Sequence, residues 1–165
     1  MTFRPVEYSP SKMRRFLVTL VSGCIALAGF LYIQPRLTMW VLADALRTSD
    51  MAAVRERMDA ERVRQSLRAG YLAGLDHPPN SDDREAAVVQ SLVLFSRGIE
   101  MITATVDSGE DEEAELSDWT FETTSRVRAT LRHWNEPPVV VILERQRASW
   151  QLVAMEWGHA AQQKM

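Results

Sequence analysis

The chain has 165 residues and a formal net charge of −3, with 46% hydrophobic and 25% charged residues. This composition excludes the disordered, collagen-like and low-complexity classes, and the length is that of one domain. The single cysteine excludes an intramolecular disulfide and a multi-cysteine metal site, and three histidines make a histidine-only metal centre improbable. We therefore predict no metal and no cofactor.

An uncharged apolar run near the amino terminus is the first element of the chain. Residues 16–33 read FLVTLVSGCIALAGFLYI, and as a helix they span about 27 Å, close to the hydrocarbon thickness of a bilayer. The preceding residues contain four basic groups and one acid. The positive-inside rule then predicts a cytoplasmic segment over residues 1–15, a single transmembrane anchor over 16–33 and an exported domain over 34–165.

Two other interpretations of the run stay open. Residues 26–28, Ala-Leu-Ala, fit a signal-peptidase site and predict a secreted form. Residues 21–24, Val-Ser-Gly-Cys, loosely fit a lipobox and predict a lipid-anchored form. We favour the uncleaved anchor because the apolar run continues to Ile33, at full spanning length.

The exported part is acidic. Residues 1–33 hold four of the 19 basic and one of the 22 acidic groups, so the remainder carries 15 and 21, a net charge of −6. A domain of this charge is a poor ligand for a polyanion, so we predict no binding of nucleic acid.

Four helices are predicted after the run. The first covers residues 37–48, and Asp50 caps a second that covers residues 51–58. Asp59 caps a third, and residues 81–83 open a fourth and longest one. Gly98 in the fourth helix predicts either the close approach of another element or a kink. The predicted core stripes are Val63, Leu67, Tyr71 and Leu75 in the third helix, and Val88, Leu92, Phe95, Ile99 and Ile102 in the fourth.

The periodicity then changes to two, which is typical of strands. Residues 107–118 hold seven acids, and because they lack the ligand order of an EF-hand we interpret them as a solvated loop. Residues 119–132 alternate as one long strand, residues 139–143 are apolar on both faces, and residues 150–157 form a third strand. The predicted fold is α+β, with about four helices packed on a three-stranded antiparallel sheet.

The pattern of residues 32–75 resembles a known family. Ala45 and Asp50 are followed by Met58, Asp59 and the segment 63–67, Val-Arg-Gln-Ser-Leu; the ending Trp-Gln-Leu at 150–152 is also similar. In these motifs the chain resembles the bacterial domain-of-unknown-function family 2939, small proteins with one amino-terminal hydrophobic segment. An alanine replaces the aromatic residue that the family has after Asp59. The resemblance implies an α+β domain in the envelope, attached to the bacterial inner membrane, and no particular activity.

Three residues are candidates for an interaction site. Asp59 and Arg64 carry the resemblance and form a charge pair that a ligand could meet; the alternative is a helix cap at Asp59 with Arg64 pairing nearby. Trp134 lies in a predicted turn, and exposed tryptophans often mark binding surfaces. The arginines of the first strand, on its wet face, are expected to pair with the acidic run or with an anionic partner: Arg126, Arg128 and Arg132.

The sequence carries no Walker loop, G-x-G-x-x-G, H-E-x-x-H or G-x-S-x-G motif. We therefore predict a non-enzymatic, membrane-anchored binding or interaction module whose partner is an envelope protein or a small ligand. The alternative is a small periplasmic enzyme with a pocket between helices and sheet. In that case His133 with Glu122 or Glu144 is the candidate acid–base set.

Overall fold

The computed structural model describes residues 10–107, 114–133, 136–147 and 149–157, which form four helices and one four-stranded antiparallel sheet of order β1-β2-β3-β4. The architecture is α+β, as predicted. The elements are α1 (Pro10–Arg47), α2 (Met51–Arg57), α3 (Ala60–Ala73), α4 (Ser81–Asp107), β1 (Ala114–Thr123), β2 (Arg126–His133), β3 (Glu136–Gln146) and β4 (Ser149–Trp157).

The chain divides into two compact units, the first ending at Gln34 and the second beginning at Pro35. The described part of the first unit is helical, and its apolar side chains are exposed: Phe16 and Ile25 are each 67% exposed. This part of α1 is long and apolar enough to cross a membrane. The helix α4 is also long and apolar enough to cross a membrane, but one of its faces contributes to the hydrophobic core of the second unit, so we interpret it as a core helix.

The end of α1 differs from the prediction, because residues 37–48 continue α1 and do not form a separate helix. Pro35 lies inside α1; its fixed φ suits a helix although it cannot donate a hydrogen bond. The helix ends where Ser49 adopts a φ of 58° and the N–H of Asp50 donates to the carbonyl of Ala45 at 2.8 Å, the geometry of a Schellman motif. Asp50 then caps α2, as predicted, accepting the N–H groups of Ala52 and Ala53.

The core face of α4 is rotated from the predicted stripe. Val88 and Leu92, predicted to be buried, are 40% and 49% exposed, whereas Ile102 is buried as expected. The buried positions follow one another at steps of three or four up to Met101, and three of the six are small residues: Ala87, Ser91, Leu94, Gly98, Met101 and Ile102. The small side chains of Ala87 and Ser91, and the absence of one at Gly98, allow the axis of α4 to lie close to the neighbouring elements. This face is therefore buried although the side chains of the predicted stripe are larger.

Gly98 of α4 lies against the side chain of Met155 on β4. A Cβ atom at this position would lie 2.6 Å from the Sδ atom of Met155 on β4. Of the two expectations for Gly98, the structure supports close approach of another element. The same surface of β4 packs on α3, whose predicted core residues Val63 and Leu67 are buried.

The sheet has four strands and not three, because the predicted strand over residues 119–132 is a hairpin. Its turn is at Thr124 and Ser125. A register shift between Phe121 and Thr123 adds one residue to β1, so that Phe121 pairs with Val127. A two-residue turn by itself reverses the parity of the alternation, and the bulge restores it. The inside–outside pattern therefore continues through the turn and conceals it.

The acidic run also contributes to β1. Residues 108–113 lie outside the described residues, but Ala114–Asp118 are strand, so the loop interpretation is wrong for this half. In the middle of the sheet, β3 is buried on both faces, as predicted: Val141, Ile142 and Leu143 are fully buried. Trp150 on β4 closes the core at 2% exposure.

Candidate functional site

Asp59 lies at the junction of α2 and α3, on the outer edge of the sheet. Its carboxylate caps α3 by accepting the N–H of Arg62 at 3.1 Å. Its own N–H donates to the carbonyl of Leu152 at 2.9 Å, and Met58 forms an isolated parallel bridge with the same residue. The junction therefore covers the free edge of β4, which otherwise exposes unpaired backbone groups.

Arg64 lies one turn into α3 and pairs with Glu61 at 2.8 Å, with both side chains partly exposed. The predicted charge pair of Asp59 with Arg64 is not among the ion pairs of the described residues. Asp59 accepts the N–H of Arg62, and Arg64 donates to Glu61. Trp134, the third predicted residue, lies outside the described residues. The structure therefore gives Asp59 and Arg64 local helix contacts, and their predicted role in an interaction stays a prediction.

Arg62 joins α3 to the sheet by an ion pair. Its Nη2 atom lies 2.8 Å from Oε2 of Glu144 on β3, and the other oxygen of Glu144 accepts from Arg126 on β2, also at 2.8 Å. No local pattern predicts this role of Arg62, since its partner is 82 residues away and only the tertiary fold brings them together.

An ion-pair network covers the outer face of the sheet. Glu122 pairs with Arg126 at 2.8 Å and with Arg128 at 3.1 Å, and Arg128 also lies 3.5 Å from Glu156. We call this set, with Arg62 and Glu144, the outer ladder. It contains three arginines and three glutamates, so its charges are balanced. Arg126 and Arg128 therefore pair with glutamates of the sheet, and not with the acidic run as expected from the sequence.

Arg132 makes the same kind of pair at the other end of β2. Its Nη2 atom lies 2.7 Å from Oδ2 of Asp118, an acid of the run that the sequence singled out. This hydrogen bond from Arg132 lowers the pKa of the exposed Asp118 carboxyl below its usual range. Part of the acidic run therefore pairs with the strand arginines, as the sequence indicated.

The predicted acid–base set is not assembled. Glu122 and Glu144 meet at Arg126, the first residue of β2, whereas His133 is the last residue of that strand and pairs in register with Glu136. Seven residues of strand separate the two ends, about 23 Å. The hypothesis that His133 acts with Glu122 or Glu144 is therefore wrong.

His133 belongs to a different polar group. Arg97 of α4 donates to Oε1 of Glu136 at 3.1 Å. Among the described residues, neither the buried Nδ1 atom of His133 nor the buried Oε2 atom of Glu136 has a hydrogen-bond partner. The intervening residues 134–135 lie outside the described residues, so the group is incomplete as a site. In the part of the chain that the structure describes, no three His, Cys, Asp or Glu side chains cluster as metal ligands.

Among the described residues of the second unit, exposed apolar side chains lie next to one another in one group on α4 and in another on α1. One is a strip of four aliphatic residues on α4, which are 40–62% exposed: Val88, Val89, Leu92 and Val93. We call it the α4 strip. The other is on α1, where Leu37 and Trp40 are 52% and 59% exposed. Contiguous exposed apolar side chains of this kind are typical of surfaces that contact another molecule.

Fold and surface together define an α+β protein with a candidate membrane-spanning helix at its amino terminus. The family model described as "Protein of unknown function (DUF2939)" matches residues 24–109, just over half of the chain. The chain belongs to this family. The match contains the motifs around Asp50, Asp59 and residues 63–67 and ends before the sheet. No curated protein and no solved structure matches the chain.

Proposed function

We propose that this protein is anchored in a bacterial inner membrane by residues 16–33 of α1. The observation that carries this proposal is the exposure of that segment, in which Phe16, Ile25 and Leu27 are each at least 60% exposed. Apolar area in water is unfavourable by about 25 cal/mol per Å². A bilayer removes this penalty along a helix of this length, and the backbone groups are satisfied within the helix.

The charge distribution supports one orientation. The excess of basic groups before the run favours a cytoplasmic location for residues 1–15 and a periplasmic location for the acidic remainder, residues 34–165. We infer a single-pass protein that displays its α+β domain at the outer surface of the inner membrane.

We further propose that the displayed domain is a non-enzymatic interaction module with an envelope protein as its partner. Asp59 serves as a cap, and Glu122 and Glu144 are held in the outer ladder, so these carboxylates have structural partners. The α4 strip supports an interaction role, because its aliphatic side chains leave water only by contact with another molecule.

Fractionation tests the anchor. The full-length protein is expected to stay in the membrane pellet after a carbonate wash. Ile25→Arg places a charge in the middle of the run at a cost of about 2.5–3.5 kcal/mol and is expected to release protein, whereas the control Ile25→Leu is expected to stay. A soluble product that begins at Gly29 contradicts the anchor and supports the secreted form.

Cysteine labelling tests the orientation. In a Cys24→Ser background, Ala69→Cys on α3 is exposed and is expected to react in intact cells with a maleimide that does not cross the inner membrane. Ser9→Cys, before the run, is expected to react only after the cells are lysed. The reverse pattern overturns the proposed topology.

Site-specific crosslinking tests the interaction role. A photoreactive residue at Val89, in the α4 strip, is expected to give a discrete adduct in cells, and the same residue at Ala69 is the control on α3. An identical adduct pattern at both positions, or none at Val89, argues against the α4 strip as a contact surface.

A further inference from the structure

In the part of α1 that belongs to the second unit, one apolar side is exposed and does not contribute to the core. Over residues 35–47 one side of the helix is buried, with Met39 and Leu42 fully so, while Leu37 and Trp40 are 52% and 59% exposed. Among the tryptophans that the structure describes, Trp40 is the exposed one. The others are half-buried or buried: Trp119, Trp150 and Trp157.

Both exposed residues follow closely after the apolar run. Leu37 comes four residues after Ile33 and Trp40 seven, which is about 6 and 10 Å of helix. A bilayer of about 40–45 Å with a hydrocarbon core of about 30 Å has a headgroup layer about 5–7 Å deep on each side. The Cα atom of Leu37 is therefore within reach of this layer, and that of Trp40 is just beyond it.

The direction of helical side chains shortens this distance further. Long side chains on a helix lean back over the turn that precedes them, toward the amino terminus. The apolar run precedes Trp40 in α1, so a side chain at position 40 that leans toward the amino terminus leans toward the run. From this general tendency we expect the indole of Trp40 to lean toward the headgroup layer, where tryptophan is enriched in membrane proteins because its ring is apolar and its N–H is polar.

The charges around these residues are compatible with phospholipid. Asp44 is the first acid after the run, and its carboxylate accepts from Arg47 at 2.8 Å. The charged residue that precedes Asp44 is Arg36, a cation whose guanidinium lies 5.4 Å from the ring centroid of Trp119. The two turns after Ile33 therefore carry a cation and no acid, so headgroup phosphates are attracted and not repelled.

We propose that Leu37 and Trp40 form an interfacial patch that inserts into the headgroup layer of the leaflet where the apolar run ends. Its occupant is a phospholipid bilayer surface. The inference rests on the proposed anchor and goes beyond it, since it names two exposed residues of the second unit that contact lipid.

Fluorescence quenching in vesicles tests the patch with the full-length chain. The protein is reconstituted into phosphatidylcholine vesicles with an environment-sensitive fluorophore on one cysteine at a time. The native Cys24, in the run, reports the anchor. In the Cys24→Ser background, Trp40→Cys reports the patch, and Met51→Cys is the matched control, since Met51 is 56% exposed but follows Ile33 by 18 residues.

A nitroxide lipid labelled at the headgroup is expected to quench the probe at position 40 at least about twofold more than the probe at 51, and aqueous iodide the reverse. Equal quenching at 40 and 51 overturns the patch while Cys24 remains quenched by nitroxides on the acyl chains. Loss of quenching at Cys24 overturns the anchor itself. A probe at 40 that responds to protein density and not to lipid nitroxides assigns the surface to a second copy and also overturns the patch.

Discussion

Replacement of Gly98 by alanine tests the close contact of α4 with the sheet. The new Cβ atom would lie 2.6 Å from Sδ and 3.4 Å from Cε of Met155. Met155 is fully buried, and its N–H donates to the hydroxyl of Ser66 on α3 at 3.1 Å. The backbone of Met155 is therefore held in place, and the side chain must change its rotamer to accept the methyl group.

Two opposed effects determine how much Gly98→Ala changes the free energy of unfolding. Overpacking a buried position destabilises by about 1–3 kcal/mol. Glycine to alanine inside a helix stabilises by up to about 1 kcal/mol. We expect Gly98→Ala to lower the free energy of unfolding by about 1 kcal/mol in net, and the overpacking part depends wholly on Met155.

A double-mutant cycle isolates that part. Met155→Ala alone is expected to destabilise by about 2–5 kcal/mol. In this background the clash is gone, and Gly98→Ala is expected to stabilise the protein by up to about 1 kcal/mol. Urea unfolding of the full-length protein in detergent micelles measures each variant through its tryptophan fluorescence, to which the buried Trp150 contributes. An effect of Gly98→Ala that is the same in both backgrounds, within about 0.5 kcal/mol, would refute the proposed contact.

Three further substitutions probe local features by the same unfolding assay or by NMR. Asp59→Ala removes the cap of α3 and is expected to destabilise by about 1 kcal/mol, whereas Asp59→Asn retains most of the stability; equal losses contradict the capping role. Ser49→Gly relieves a positive φ at the end of α1 and is expected to stabilise by about 1 kcal/mol; a loss of stability argues against the Schellman geometry. The contribution of Asp118, whose pKa is lowered, is present above its unfolded pKa and declines as the pH falls through its folded pKa. Arg132→Gln is expected to raise the Asp118 midpoint in an NMR titration, and an unchanged midpoint rules out this pair as the cause.

Local signals predicted local structure well. Asp50 and Asp59 are predictable as caps because a cap depends on side-chain and backbone groups within three residues of each other. The apolar run is predictable because its length and lack of charge are visible in the sequence alone. Of the candidate residues, the place of Asp59 at the start of α3 was predictable, but its contact with Leu152 on β4 was not.

Tertiary contacts decided the features that the sequence pattern left ambiguous. The helix α4 is apolar on more than one side, so a stripe through Val88 and Leu92 fits its periodicity as well as the face through Ser91 and Gly98 does. The second face is the buried one, with Leu94, Met101 and Ile102 in the core, and the missing side chain at Gly98 leaves room for Met155 of β4.

The sequence by itself determined the α+β class, the apolar run and most helix boundaries, since these depend on composition and on neighbours within one or two turns. Tertiary structure decided the fourth strand, because a bulge in β1 kept the alternation unbroken through the turn at Thr124 and Ser125. It also decided the partner of Arg62, which is Glu144, because a pairing across 82 residues depends on how α3 and β3 pack and not on any local pattern.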